Sequence, residues 1–133
     1  MEYSGRYSFF DSNKINTYPL STRTNKVRTE DLILPENIAK IKIDVPPAAA
    51  AQIEQIAEMT VKFRRESKPV IFFTGAHLIK NGMGPLVGDL VRRNILTLVS
   101  GNGATTIHDF ELALIGQTSE YVPMALEKGQ FGM

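Results

Sequence analysis

The stretch Ile95-Leu-Thr-Leu-Val-Ser-Gly-Asn-Gly-Ala-Thr-Thr-Ile-His-Asp-Phe-Glu111 decides the fold of this chain. Its first part is a short apolar run, typical of a strand that is covered on both faces of a parallel sheet. Gly101 and Gly103 then form a turn at the end of the strand. Thr106 is placed to cap the following helix, which runs to Gly116. A strand followed by a polar, glycine-bearing turn and a helix predicts a ligand site at the carboxyl edge of an open parallel sheet.

A second unit of the same kind precedes it. The apolar run Val70–Thr74 predicts another buried strand, which exits through Gly75-Ala-His77 into a loop that carries Lys80. The remaining elements are expected from the positions of prolines, the alanine content and the spacing of apolar residues. They are a short strand over 41–45, a helix over 48–65 with Ile53, Ile56, Thr60 and Phe63 on one face, a helix from Pro85 to Arg93 with Leu86, Val87, Leu90 and Val91 inward, and a last helix over 119–128 that ends at Gly129.

The alternation of strands and helices predicts an α/β fold, a three-layer Rossmann-like parallel sheet with right-handed crossovers. Residues 1–35 are expected to form an N-terminal arm, and residues 36–133 the N-terminal part of the Rossmann-like domain. Since such sheets usually have about five or more strands, the fold is expected to be incomplete in this chain, or to be completed by assembly.

Composition narrows the class of protein. The 133 residues carry a net charge of +1, which gives no electrostatic footprint for nucleic acid. The chain has no cysteine, which excludes disulfides and thiolate chemistry. No apolar run approaches the roughly 20 residues of a membrane span, and the N-terminus lacks the regions of a signal peptide. We therefore expect a cytoplasmic protein without a membrane or nucleic-acid partner.

Glu111 is the strongest candidate for a functional side chain. It lies within a predicted helix whose residues Ile107, Phe110 and Leu114 form an apolar stripe, so that the helix is expected to be buried. A buried carboxylate must be paired, hydrogen-bonded or shifted in pKa, and such groups concentrate at functional sites. The alternatives are a structural ion pair with an arginine and a frayed surface turn.

Both histidines are candidates for proton transfer, because imidazole titrates near neutral pH. His108 begins the predicted helix and His77 follows a strand, and either could equally be structural. Asp109 stands three residues after Thr106, so it is either part of a capping box or a ligand contact. Lys80 is either a contact for a phosphate or carboxylate or a solvated surface lysine. No short ligand spacing supports a metal site formed by the histidines and Asp109.

The turn Gly101-Asn-Gly-Ala104 could present backbone N–H groups to a phosphate, with the dipole of the following helix behind them. The full dinucleotide pattern of three spaced glycines is absent. A tight turn without a ligand would need the same glycines, so both interpretations stay open.

Several segments together resemble a known superfamily. They are Phe73-Thr-Gly-Ala-His-Leu-Ile-Lys-Asn-Gly82, Asn102-Gly-Ala-Thr-Thr-Ile-His-Asp-Phe-Glu111, Gly116-Gln-Thr-Ser-Glu120, Gly129-Gln-Phe-Gly-Met133, Asn16-Thr-Tyr-Pro-Leu-Ser21 and Lys26-Val27. The chain resembles an uncharacterised bacterial family of the deoxyhypusine synthase-like NAD-binding superfamily. A more distant similarity, through the string from Asn102 to Glu111, is to the NAD-dependent ornithine cyclodeaminase domain.

The resemblance implies NAD as the cofactor, with contacts from Gly75, Gly101, Asn102, Gly103 and Ala104. It implies catalytic roles for His108, His77 and Glu111, and binding of an amine or amino-acid substrate by Asp109 and Lys80. The synthases' nucleophilic lysine belongs to a C-terminal region that this chain lacks, so the resemblance does not extend to deoxyhypusine formation. Oligomeric enzymes are common in the superfamily, which makes a homo-oligomer the expected assembly.

The resulting hypothesis is an NAD-binding protein that forms part of an enzyme acting on a polyamine or amino-acid C–N bond through transient hydride transfer. If active, it would be a deoxyhypusine synthase-like transferase or an ornithine cyclodeaminase-like lyase. The alternatives are a non-catalytic nucleotide-binding or assembly module, and a truncated remnant.

Overall fold

Two units make up the chain in the computed structural model, which describes residues 5–6, 13 and 16–130. One unit comprises Met1–Lys26 with Glu120–Met133, and the other is Val27–Ser119. The strands and α-helices, in chain order, are β1 (Asn25–Arg28), α1 (Pro47–Arg65), β2 (Ile71–Phe73), α2 (Ala76–Lys80), α3 (Gly84–Arg92), β3 (Leu98–Ser100), α4 (Gly103–Ile115), β4 (Gln117–Glu120) and α5 (Val122–Leu126). The fold is mixed α/β.

The parallel pairing of β2 with β3 organises the larger unit. Ile71 lies opposite Leu98, and Phe73 lies opposite Ser100. Both strands were expected to be covered on both faces, and this is wrong: Phe73 is 75% exposed and Leu98 is 52% exposed. A continuous apolar run does not determine whether other elements cover both faces of its sheet. Within the described residues, one face of this strand pair is exposed to solvent.

Strand pairing elsewhere departs from an all-parallel sheet. β1 pairs with β4 in a second two-stranded sheet, and this pair is antiparallel. The strand expected over 41–45 is wrong, because a 3-10 helix over Pro35–Lys40 is followed there by irregular chain with Ile43 71% exposed. Alternating apolar residues become a strand only where a partner strand supplies hydrogen bonds.

The prediction of a long helix after Pro46 is confirmed. α1 begins at Pro47, where the missing N–H has no helical partner to lose, and ends with basic residues beside its negative end. The face that was expected to pack does so only in its second half: Ile53 is 57% and Ile56 is 64% exposed, whereas Thr60 and Phe63 are half-buried. Arg64 anchors the end of the helix by donating from Nε to the carbonyl oxygen of Asn94 over 2.9 Å.

The segment after β2 was expected to be a loop as far as Pro85, and this is wrong. Residues Ala76–Lys80 form α2, a short helix capped by Gly75. α3 then begins one residue before Pro85, as expected, with Asp89 within 3.5 Å of Arg93. Leu86, Val87 and Leu90 are half-buried, but Val91, which was expected inside, is 46% exposed.

α4 begins earlier than expected. Its N-cap is Asn102, not Thr106, so the proposed capping box that ended at Asp109 is wrong. Asn102 is the cap because it comes directly after β3 and its side-chain oxygen accepts a hydrogen bond from the Thr105 N–H. The predicted end is confirmed: Gly116 terminates α4 in the left-handed conformation, at φ 67°.

Burial of α4 also differs from expectation. The stripe of Ile107, Phe110 and Leu114 is exposed, at 58%, 62% and 63% respectively. His108 and Glu111 lie half-buried instead, so these two polar side chains face the protein. The apolar stripe was assigned to the core because burial is its usual cause, and the described residues do not cover it.

The smaller unit contains α5, which was expected over 119–128 but spans only Val122–Leu126, because Ser119 belongs to β4. The Tyr18 hydroxyl donates to a Glu120 carboxylate oxygen, and this hydrogen bond raises the pKa of Tyr18, with burial and the carboxylate charge adding to it. Because the pKa of Tyr18 is raised, this hydrogen bond contributes to folding stability below about pH 10. The contribution is lost as the pH rises through the pKa that Tyr18 has in the folded state. Lys26 lies over the Tyr121 ring, 5.3 Å from its centre.

Gly82 joins the turn between α2 and α3 to the segment that follows β1. Its carbonyl accepts from the Ile33 N–H over 2.9 Å, and its φ is +80°. A Cβ placed on Gly82 would lie 2.8 Å from the Asp31 carbonyl oxygen and 3.3 Å from Leu32 Cα. Both backbone conformation and space therefore require glycine here.

We expect Gly82→Ala to lower the free energy of unfolding by at least about 2 kcal/mol, from left-handed strain and from the clash with backbone. The matched control is Gly88→Ala within α3, where a Cβ meets nothing within 4 Å, and which should raise stability by about 0.5–1 kcal/mol. Urea unfolding of both variants measures the difference. Equal stability of the two would contradict the described turn.

Candidate functional site

The two strand exits lie side by side, as the sequence predicted for parallel neighbours. The Thr74 N–H donates to the Ser100 carbonyl over 2.9 Å, which extends the β2–β3 ladder to the carboxyl edge. Just beyond it, a Cβ placed on Gly75 would lie 4.0 Å from the Asn102 amide nitrogen. Gly75 and the turn that begins at Gly101 therefore form one edge, from which α2 and α4 both start.

Each residue of this edge has its own structural role. Gly101 is needed for close packing, because a Cβ there would lie 3.0 Å from three side-chain atoms of Thr105. Asn102 is the helix cap, and its side-chain oxygen accepts from both the N–H and the hydroxyl of Thr105 at 3.0 Å. Gly103 and Ala104 form the first turn of α4 and are exposed.

Gly103 differs from Gly101 because nothing in the structure crowds it. A Cβ at this position would meet no atom within 4 Å. The first backbone N–H groups of a helix have no intrahelical acceptor, and the helix dipole makes this end positive. The exposed start of α4 is thus chemically suited to an anion such as a phosphate.

A hydrogen-bonded cluster of three side chains lies farther along α4. His108 Nδ1 is 2.7 Å from the Thr118 hydroxyl oxygen, which donates to Glu111 Oε2 over 2.5 Å. The direct distance from His108 Nδ1 to Glu111 Oε2 is 3.9 Å. Thr118 is fully buried, whereas the His108 and Glu111 side chains are each 19% exposed. We call these three residues the His–Thr–Glu cluster.

Helix geometry and one glycine assemble this cluster. His108 and Glu111 are three residues apart on α4, so that they share a face of the helix. Gly116 then reverses the chain in the left-handed conformation, and β4 returns with Thr118 beside that face. Glu111, which was expected to be paired or hydrogen-bonded, accepts a hydrogen bond from Thr118.

Asp109 lies on a different part of the helix surface. It lines a cleft of about 300 Å³ whose other walls are mainly apolar. The remaining residues of this cleft are Thr29, Leu32, Ile79, Gly84, Pro85, Leu112 and Ala113. One carboxylate among apolar walls can bind a cation that has an aliphatic body.

His77 and Lys80 are on α2, which packs against α4. His77 is exposed in the first turn, two residues after Gly75, while Lys80 is half-buried at the last position of the helix. Neither belongs to the His–Thr–Glu cluster. His77 is close in sequence to the glycine edge, and Lys80 is at the opposite end of α2.

Thr118 is the residue that sequence reasoning missed. It carries no recognisable sequence motif. Its signal was positional: a residue two places after a helix-ending glycine returns alongside the last turns of that helix. Within residues 16–130, no group of three or more acidic or histidine side chains has the arrangement of a metal site.

Comparison with known proteins gives no relative. A scan against protein-family models, a search of curated proteins and a search of solved structures each found no match to this chain. No helix in the described part of the chain is both long and apolar enough to cross a membrane.

The Thr118 hydroxyl should stabilise the fold through both partners. We expect Thr118→Val to lower the free energy of unfolding by about 1–3 kcal/mol, because it leaves two half-buried polar groups without this hydroxyl. Thr118→Ser keeps the hydroxyl and should lose only the methyl contribution, about 1 kcal/mol.

A double-mutant cycle of Thr118→Val with Glu111→Ala, measured by chemical unfolding, isolates the pair. The expected coupling is at least about 0.5 kcal/mol. Strict additivity would mean that the hydroxyl and the carboxylate do not interact in solution.

Proposed function

We propose that this chain binds NAD at the edge formed by Gly75 and the turn Gly101–Ala104. The observation that supports the proposal is the side-by-side position of two glycine-bearing exits from parallel strands, one of which opens directly into the exposed start of α4. In parallel α/β sheets this edge is where dinucleotides bind. The backbone N–H groups of Gly103 and Ala104 would hold the pyrophosphate, and Gly103 leaves room for its approach.

The chemistry proposed is part of an enzyme acting on a polyamine or amino-acid C–N bond in the cytoplasm. NAD, when bound, supplies a reversible acceptor for a hydride taken from the carbon beside the amine. The chain's own residues orient the reactants and move protons. His108 would accept a proton from the substrate ammonium or return one, and Glu111 would balance the charge that forms on the imidazole.

The proposed substrate position is the cleft that contains Asp109. Its carboxylate would bind a substrate ammonium, while Leu112 and Ile79 would contact methylene groups. Asp109 is six residues after Gly103, which corresponds to about 9 Å along the axis of α4. Lys80 would contact the carboxylate of an amino-acid substrate. His77 would be a second proton carrier.

Gly103→Asp tests cofactor binding without weakening the helix. A carboxylate at the start of α4 interacts favourably with the helix dipole, by about 0.3–1 kcal/mol, but it repels the pyrophosphate. Calorimetric titration with NAD should therefore show binding to the wild-type chain and at least tenfold weaker binding to the variant.

Gly103→Ala is the matched control for the added side chain, since its methyl group meets no atom of the protein. Any loss of NAD affinity in Gly103→Asp beyond that in Gly103→Ala comes from the carboxylate. Thermal unfolding should show Gly103→Asp at least as stable as wild type. Wild-type chain that melts cooperatively but does not bind NAD, or a Gly103→Asp variant that binds it normally, would refute the proposal.

A homo-oligomer is the second proposal, and the open apolar face of β2 and β3 supports it. Phe73 and Leu98 are exposed at 75% and 52%, and α4 adds the exposed Phe110. Large apolar side chains that stay exposed together mark association sites when they form one patch. The module would then bind nucleotide and assemble, with or without catalysis.

We expect Phe73→Glu to lower the mass measured by light scattering at a fixed concentration, because the charge cannot be buried in an interface. Ile43→Glu is the control, since Ile43 is equally exposed at 71% but lies outside every helix and strand. A wild-type chain that is monomeric at all concentrations, or an equal effect of both variants, would count against assembly through the sheet.

A further inference from the structure

The His–Thr–Glu cluster restricts where the protons lie. Thr118 Oγ1 has only one proton, yet it lies within hydrogen-bond distance of both Glu111 Oε2, at 2.5 Å, and His108 Nδ1, at 2.7 Å. A hydroxyl in this position donates to one neighbour and must accept from the other. The direction of the two bonds therefore determines the tautomer of the imidazole.

The carboxylate decides that direction. An ionised carboxylate has no proton and can only accept a hydrogen bond. Thr118 must then donate to Glu111, as the geometry has it. Its lone pair is left for His108, so Nδ1 has to carry a proton.

We infer that Thr118 is a positioning residue that holds neutral His108 as the Nδ1–H tautomer, so that Nε2 carries the lone pair. Nδ1–H is the less common form of histidine in water, so a specific acceptor is needed to maintain it. The tautomer is a property of the chain alone. Only its use, in which Nε2 exchanges protons with a substrate amine, rests on the proposed function.

Burial makes Thr118 suitable for this role. The residue is wholly inaccessible to solvent, which excludes water as a competing partner for its hydroxyl. It lies in β4, immediately after the turn at Gly116, and its β-branched side chain is stiff at χ1. The hydroxyl is therefore held in place relative to α4 rather than free to rotate toward other acceptors.

Nitrogen NMR of the imidazole rings tests the inference directly, because the chain has only two histidines. His77→Gln removes one set of signals and thereby assigns the other to His108. At about pH 8, above the ordinary histidine pKa, His108 Nδ1 should resonate as a protonated, pyrrole-type nitrogen and Nε2 as an unprotonated, pyridine-type nitrogen. The reverse assignment, or a ring that is still doubly protonated at about pH 9, overturns the inference.

Two substitutions separate a positioning role from a merely structural one. Thr118→Ser keeps the hydroxyl and should retain the Nδ1–H signature, even if the methyl loss lowers stability. Thr118→Val should move both nitrogen shifts toward the Nε2–H tautomer. If Val does not fold, the wild-type and Ser spectra decide the question, and a Val variant that folds with unchanged shifts refutes the role.

The outcome is independent of cofactor binding. The spectra are recorded on the chain without ligand, whereas the proposed function fails or stands on the NAD titration of the Gly103 variants. A correct tautomer without NAD binding would leave the role of Thr118 intact and refute only the cofactor.

Discussion

The parallel ladder between β2 and β3 is the interaction on which the rest of the site depends. The two strands are separated by more than twenty residues of chain, yet their register brings Thr74 beside Ser100 and Gly75 beside Asn102. Because parallel strands end at the same edge, two turns that are distant in sequence become one surface. A shift of register would separate the turns and would move the start of α4 with them.

The second constraint is local and lies at the other end of α4. A left-handed Gly116 lets the chain reverse within one residue, and this reversal brings Thr118 to the polar face of the helix. One helix thus has a capped, exposed beginning and a hydrogen-bonded cluster on its inner face. His108 is about 7–8 Å along the helix axis from Gly103, a spacing that follows from the five intervening steps. The proposed anion-binding end and the proposed proton carrier are consequently held by the same helix.

The sequence was informative where short-range chemistry decides the structure. The proline start of α1, the glycine end of α4 and the two glycine exits depend on one or two residues each, and all of these predictions are confirmed. The prediction that Glu111 is sequestered is confirmed in part, since it is half-buried and hydrogen-bonded. The resemblance to the deoxyhypusine synthase-like superfamily stays a prediction, and so do NAD and the roles of the individual site residues.

Predictions that depended on distant partners were less successful. Whether 41–45 forms a strand is decided by a neighbouring strand, and whether the stripe on α4 is buried is decided by a covering layer; neither is encoded within the segment itself. The role of Thr118 could not be predicted for the same reason, because it depends on the direction that the chain takes after Gly116. Local sequence specifies the turns, while the pairing of elements specifies which side chains meet.

The open apolar surface follows from the same distinction between local and distant interactions. A two-stranded sheet is marginal on its own in water and gains stability from a third strand or a packed layer. Here one face of β2 and β3 and one stripe of α4 keep large side chains in solvent, including Phe73 and Phe110. The free energy that their burial would contribute, about 1.5–3 kcal/mol for each fully buried side chain, is not realised in the described residues. A homo-oligomer would bury that surface, and the His–Thr–Glu cluster lies about a quarter of a turn around α4 from the stripe, since successive helical residues are about 100° apart. In this proposal the apolar stripe contacts another subunit, while His108 and Glu111 stay beside Thr118 on the neighbouring side of the helix.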